Sequence, residues 1–430
     1  NPSTANNLFF WEASFECINR LNIVNEGIQG AIAAGVLSPQ KGNAYRGELL
    51  FLRALTLHSL LTHFALPYNV TGNHQYGLPL YLTPFRQPAS IEEGLKTGRS
   101  TVEETYAQAL EDLNEAEILF EDNNKNPANG ITRASKGAVI ALKSRVYLHK
   151  RDWSNVKKEA AKLLNGTTAP FSSPIGGYQL TPSPQTPFLS YDNNTESIFS
   201  IENNADDNAG YNGAMSAMMS AREGGRAIVT SSPILYNSPY WRGDDKRRDL
   251  LLYRESDQYY FCDKYRNPLT NEEYTPIIRY AEVLLNYAEA ALRSGEISPA
   301  LEMLNAVRNR SLPNPDAQGY KASDFATEKE LLEAILWERR IEFHGEGRRW
   351  EDIHRLAADD QTPSGGIPAK IEYANARGQG AFAVNGEVKE EWFATNKPFI
   401  PYTDKRFLWP IPVNDLVRNP TLAGQQNEGW

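Results

Sequence analysis

The chain has 430 residues, 41% hydrophobic and 23% charged, which excludes disorder and fibrous architectures and leaves either two domains or one extended repeat scaffold. A net charge of −9 argues against a nucleic-acid partner, whose phosphates need clustered Lys and Arg. The densest basic run, Lys246-Arg247-Arg248, reads as solvated surface.

Helical periodicity dominates the chain and comes in pairs. Arg46 to Ala65 reads as half of one pair. Val102, Tyr106, Ala109, Leu113, Ala116 and Phe120, spaced by four and three, predict a helix over 100–120 that opens on a Ser100/Glu103 capping box. A second stripe (Ala138, Ala141, Leu142, Arg145, Val146, His149) runs to Lys150. After a break at Arg151-Asp152, a third (Trp153, Val156, Ala160, Leu163, Leu164) ends at Asn165-Gly166. Thr167 to Pro187 and Asp192 to Gly213, rich in turn-forming residues, read as loops. Ile277, Tyr280, Ala281, Leu284, Ala288, Ala291 and Leu292 form the next helical face, stopped by Gly295. Ser298-Pro299 then opens another helix with Ser298 as N-cap. A further helix runs from Thr327, capped with Glu330, to about Phe343, and Asp359 to Gly386 reads as loop.

Small residues recur at matching places in these pairs: Ala141 and Ala160 around one turn, Ala288 and Ala300 around another. Tetratricopeptide repeats use this device to bring helices close. The expected fold is therefore mostly α, a tetratricopeptide-like (TPR) repeat scaffold in one unit. Its parts are an N-terminal helical scaffold over 1–165, a variable loop-rich region over 166–270, further TPR-like helices over 271–358, and a loop-rich tail over 359–430.

Signs of catalysis are missing. The six histidines have no zinc-site spacing, and neither a G-x-S-x-G elbow nor a G-x-x-x-x-G-K-[ST] phosphate loop is present. Asp206-Asp207-Asn208-Ala209-Gly210 lacks the alternation and terminal Glu of a calcium loop. With 53 acidic residues, chance adjacency of two carboxylates is the default over a glycosidase pair. No catalytic residue, metal or cofactor is assigned. Cys17 and Cys262 read as buried thiols, with their pairing open. No run approaches the ~18 apolar residues of a membrane span. Trp337 to Trp350, where arginines and glutamates alternate with aromatic residues, reads as an ion-pair network at a helix end in preference to an anion site.

Four stretches resemble one family. They are Phe51-Leu52-Arg53-Ala54; Arg279 to Ala290, continued by Leu304 to Arg310; Glu338-Arg339-Arg340-Ile341-Glu342 with Gly345 to Asp352; and Pro410-Ile411-Pro412 with Asn419-Pro420 and Gln426 to Trp430. In order and spacing they resemble the SusD/RagB nutrient-binding lipoproteins of the Bacteroidetes outer membrane. The resemblance implies a non-enzymatic, surface-exposed protein that binds glycans, or in the RagB branch oligopeptides. The implied partner is a SusC-like TonB-dependent transporter, and the implied role is carbohydrate binding for glycan uptake. It also implies a lipid anchor in the full-length form, ahead of the segment Trp11 to Gly27. Cys17 lies inside that segment and does not look like the lipidated residue.

The shared motifs belong to the scaffold, so candidate ligand contacts come from chemistry. Sugar rings stack on aromatic faces while polar side chains hydrogen-bond the hydroxyls. Clusters offering both are Tyr68-Asn69 with Asn73 and Tyr76; Tyr240-Trp241-Arg242; and Trp392-Phe393. A TPR scaffold that binds a protein partner in its grooves is the reading from a different class.

Overall fold

The computed structural model describes residues 2–70, 75–120, 130–256 and 258–430. Helix α1 (Ala5–Ala33) packs on α2 (Pro39–Phe64), which starts with Pro39 in the first turn, where a missing N–H costs nothing. Leu50, Phe51, Ala54, Leu57 and Leu61 give α2 its buried stripe. Next follow α3 (Val102–Leu119), α4 (Lys136–Lys150) and α5 (Trp153–Ala161). In the second half come α6 (Tyr280–Leu292), α7 (Ile297–Asn309), α8 (Glu328–Glu342) and α9 (Arg348–Arg355). Helix α1 stacks on α2, α4 on α5 and α6 on α7, and α6 also packs on α4 and α5, which joins the two halves.

The turns follow from their residues. Arg151 takes φ 60° to end α4, and Asp152 then caps α5 by accepting from the N–H of Asn155 at 3.1 Å. Gly295, at φ +78°, makes the α6–α7 turn with a conformation that a side chain would strain. Thr327 caps α8 through the Glu330 N–H at 3.2 Å, as the sequence predicts.

Other boundaries differ from the sequence reading. The capping box of α3 is Thr101/Glu104, one residue later than Ser100/Glu103. Ser100 belongs to β2 (Arg99–Thr101), antiparallel to β1 (Tyr76–Pro79), and its hydroxyl donates to the Leu78 carbonyl at 2.8 Å. Ile277 is not helical: it lies in β6 (Thr275–Arg279), which pairs with β3 (Ser197–Ile201) inside the segment that reads as an Asn/Asp-rich loop. That strand carries the buried Ile198 and Phe199 into the core. Ser298 sits inside α7, and Glu296 takes the N-cap position. Two further antiparallel pairs are β4 (Leu252–Glu255) with β5 (Tyr259–Cys262) and β7 (Gly366–Ile367) with β8 (Ile400–Pro401). The cysteines are free, Cys262 buried and Cys17 half-buried.

One apolar core runs through the helices from Trp11, Phe51 and Phe64 through Leu142 and Tyr280 to Leu304 and Ile335, and it takes in Ile411 from the tail. Beside it lies a buried ionic network. Arg279, the last residue of β6, is 1% exposed and donates to Glu346 at 2.8 Å, to Glu342 at 2.9 Å and to Glu196. Glu342 also accepts from Arg310 at 2.6 Å and Arg247 at 3.0 Å, and Arg247 reaches Glu338 at 2.6 Å. These arginines hold the Glu342 carboxyl far below the usual carboxylate range against the opposing effect of burial. Of the basic run at 246–248, Lys246 is exposed as expected, but Arg247 and Arg248 are buried. Arg247 is in this network, and Arg248 lies 4.4 Å and 4.5 Å from the Tyr236 and Trp241 ring centroids.

Breaking a buried pair strands a charge. Glu342→Ala should therefore lower the unfolding free energy by about 3–5 kcal/mol in urea titration; a loss under about 1 kcal/mol would show that the network is dispensable. A second carboxylate, Glu289, is also pushed down by burial-resisting partners, Arg355 at 2.7 Å and Arg293 at 3.0 Å, to about 2. Its folded-state value lies below the unfolded one near 4.5, so its contribution is complete above that pH and is lost as pH falls toward 2. Acid unfolding monitored by circular dichroism should occur in that window, and Glu289→Gln should flatten it.

Candidate ligand-binding site

A cavity of about 470 Å³ opens where β1, the turn after β8 and the C-terminal tail meet. Its walls carry two half-buried tyrosines, Tyr76 from β1 and Tyr402 from the turn after β8. Gln75, Thr403, Asp404, Lys405, Gln426, Asn427 and Glu428 supply polar groups between them, and Leu66, Val70 and Leu408 supply apolar surface. Two phenol rings beside amides and carboxylates suit a ligand that combines apolar faces with many hydroxyls.

Arg99, in β2, holds these walls together. Its guanidinium lies 5.2 Å from the Tyr76 ring centroid and donates to the carbonyls of Gly77 (2.8 Å), Phe64 (2.9 Å), Tyr76 (3.0 Å) and Gln425 (2.9 Å), and to Asn427 Oδ1 (2.8 Å). Burial among neutral acceptors pulls its pKa down to about 9. Asn427 in turn donates to the carbonyls of Phe64 at 2.9 Å and Trp409 at 2.8 Å. Gln426 exchanges two hydrogen bonds with the Ile411 backbone, at 2.8 and 2.9 Å. On the opposite wall Tyr402 is set by its N–H donating to the Gly365 carbonyl at 2.9 Å. The half-buried Asp404 is paired with Arg406, which holds its carboxyl down to about 2.

Of the residues that the sequence singles out, Tyr76 lines this cavity. Asn73 lies outside the described residues. Tyr68 packs edge-on to Tyr106 at 5.5 Å with Lys150 over its face, and Asn69 donates to the Ala358 carbonyl at 2.8 Å; both dock the 65–70 loop onto the helices. Trp241 is 2% exposed and Trp392 6% exposed, so core neighbours surround both rings. The half-buried Phe393 forms a β-bridge to Ile371. Arg242 pairs with Asp244 at 2.9 Å, and Tyr240 stacks on Trp337 with centroids 5.7 Å apart. These two clusters stand apart from the Tyr76 cavity wall. The sequence reading passes over Tyr402, although Tyr402-Thr403-Asp404 has the same aromatic-plus-polar signature. Among the described residues, no group of three His, Cys, Asp or Glu side chains could hold a metal, and no helix is long and apolar enough to cross a membrane.

Paired helices with a cavity among their connecting segments define a TPR-like helical scaffold. Residues 244–430 match the family model described as SusD family, and residues 1–148 match one described as "Starch-binding associating with outer membrane". The chain belongs to the SusD/RagB family, an outer-membrane family of binding proteins, and it is not an enzyme. It is 24% identical to SusD-like protein P2 of Formosa agariphila, over 98% of this chain and 80% of that one. A crystal structure of a SusD superfamily protein from Bacteroides fragilis superposes with a TM-score of 0.76 at 26% identity, covering 98% and 85% of the two chains. A laminarin-binding SusD-like protein superposes with a TM-score of 0.71 at 21% identity, covering 100% and 87%.

The clamp has a measurable consequence. Asn427→Ala leaves buried carbonyls short of donors and should cost about 1–3 kcal/mol on chemical denaturation. Glu428→Ala, at an exposed neighbour, should stay within about 0.5 kcal/mol. Equal effects of the two changes would show that the tail is not held as described.

Proposed function

We propose that the protein captures a glycan in the cavity between Tyr76 and Tyr402 and passes it to a SusC-like TonB-dependent transporter, held at the cell surface by a lipid anchor in its full-length form. The observation that carries this reading is the pair of tyrosines facing amide and carboxylate side chains across about 470 Å³, a volume in the range of small-ligand pockets. The laminarin-binding relative, with the same fold, supports the glycan class. The starch-binding, outer-membrane description of the matched family model supports both the ligand class and the location. Transfer to a transporter and lipid anchoring rest on what the family resemblance implies.

Affinity electrophoresis against soluble polysaccharides tests the proposal. At least one glycan should retard the protein, and Tyr76→Ala or Tyr402→Ala should each weaken retardation roughly five- to tenfold, the equivalent of about 1–1.5 kcal/mol for a lost ring contact. Trp241→Ala is the control: a fully packed ring lost from the core should cost about 3–5 kcal/mol of stability without a direct effect on binding. Retardation unchanged in both tyrosine variants would reject this cavity. Failure of every glycan to retard the wild type would reject the ligand class and make oligopeptides the next probes.

A further inference from the structure

The segment from Trp337 to Trp350 does form the ion-pair network that its sequence predicts, with two exceptions. Arg339 is bound to Asn286 at 2.7 Å and Arg348 to Glu351 at 2.7 Å, while Arg355, just beyond the segment, is bound to Glu289 at 2.7 Å. Arg340 and Arg349, by contrast, have no carboxylate within ion-pair distance and no hydrogen-bond acceptor among the described residues. The two converge on a groove of about 340 Å³ between α8 and the loop at Gln361-Thr362-Pro363, and both also border a neighbouring cavity of about 230 Å³.

The groove is built by periodicity. Lys329, Glu333, Leu336, Trp337 and Arg340 recur along α8 at spacings of three and four, so they share one face. Gly345 and Gly347, both at φ +79°, turn the chain so that Arg349, in the first turn of α9, meets that face. The guanidinium of Arg340 lies 4.7 Å from the Trp337 ring centroid, and Trp337 stacks on Tyr240 with planes 13° apart. This stack fixes the direction of Arg340 without using its N–H donors. Burial and then the charge of Arg349 push the Arg340 pKa down to about 9, the direction of a cation lacking a counter-ion. Three cations line the groove against one carboxylate, Glu333, which accepts from the Tyr240 hydroxyl at 3.3 Å.

We propose that Arg340 and Arg349 form an anion-binding site that takes the carboxylate or sulfate ester of an acidic saccharide. The saccharide part of this statement rests on the glycan reading above, whereas the oxyanion part does not. An arginine fork is matched to a planar or tetrahedral oxyanion, which accepts two N–H bonds from one guanidinium. The surface as a whole carries a net charge of −9 and repels polyanions, so retention of one requires a local cationic site.

The test uses the intact chain with polygalacturonate and dextran sulfate as acidic probes and dextran as the neutral one, in affinity gels, with sodium sulfate titrated by calorimetry. The wild type should be retarded by one or both acidic polymers, the two probes telling carboxylate from sulfate, and should bind free sulfate. Arg349→Gln and Arg340→Gln should each weaken acidic retardation about tenfold, the size of one charge-assisted contact. Arg340→Lys, which keeps the charge and loses the fork, should fall between. Thermal melts should show Arg349→Gln, at an exposed position, still folded. Sulfate binding that survives the tyrosine substitutions and disappears in the arginine variants would support the anion site even if the glycan reading failed. Acidic retardation and sulfate binding unchanged in the Arg340→Gln/Arg349→Gln double variant, or absent from the wild type, would overturn it.

Discussion

The buried carboxylates around Arg279 set the terms for everything else in this structure. Arg279 ends β6 and immediately precedes α6, Glu196 stands at the start of β3, Glu342 ends α8, and Glu346 lies in the turn to α9. Three segments distant in sequence, at 196, 279 and 342–346, are therefore brought to one point by charge, where an apolar contact would tolerate sliding. Burying these ions is expensive, and the arrangement holds only because nearly every donor and acceptor is met. With the strand, the helix and the turn fixed in mutual register, Gly345 and Gly347 carry the chain from α8 into α9 along a single path.

That register also fixes the segments that connect to α9. α9 is docked by Trp350, whose indole N–H donates to the Thr62 carbonyl at 3.0 Å, and by His354, hydrogen-bonded to the Ala65 carbonyl at 2.8 Å. The loop above it, from Leu66 to Val70, thereby acquires a rigid floor and lines the Tyr76 cavity. On the other side of the same helix Arg349 faces α8. One short helix thus supports the loop beside the Tyr76 cavity on one side and borders the α8 groove on the other.

The helices were legible because their apolar stripes have the right period and because Thr327, Asp152 and Gly295 mark ends by chemistry that acts locally. Strand β3 was not, since Ser197-Ile198-Phe199-Ser200-Ile201 shows no alternation and acquires its conformation from pairing with β6, far along the chain. The same limitation governs the site. Tyr76 could be picked out as an aromatic residue among turn-forming neighbours, but nothing local separates it from Trp241 and Trp392, which the fold puts in the core. Likewise Arg340 and Arg339 are adjacent in sequence, and only the three-dimensional supply of carboxylates leaves one bound and the other unpaired.

The Arg99 clamp has a consequence for the timing of biosynthesis. Arg99 and Gln425 are 326 residues apart, and the guanidinium joins the wall that contains Tyr76 to the wall that contains Gln426 and Asn427. At a translation rate of ~5–20 residues per second, the second wall follows the first by on the order of 16–65 s. The two walls can therefore meet only after residues 425–427 have been made, when α1 to α9 are already complete.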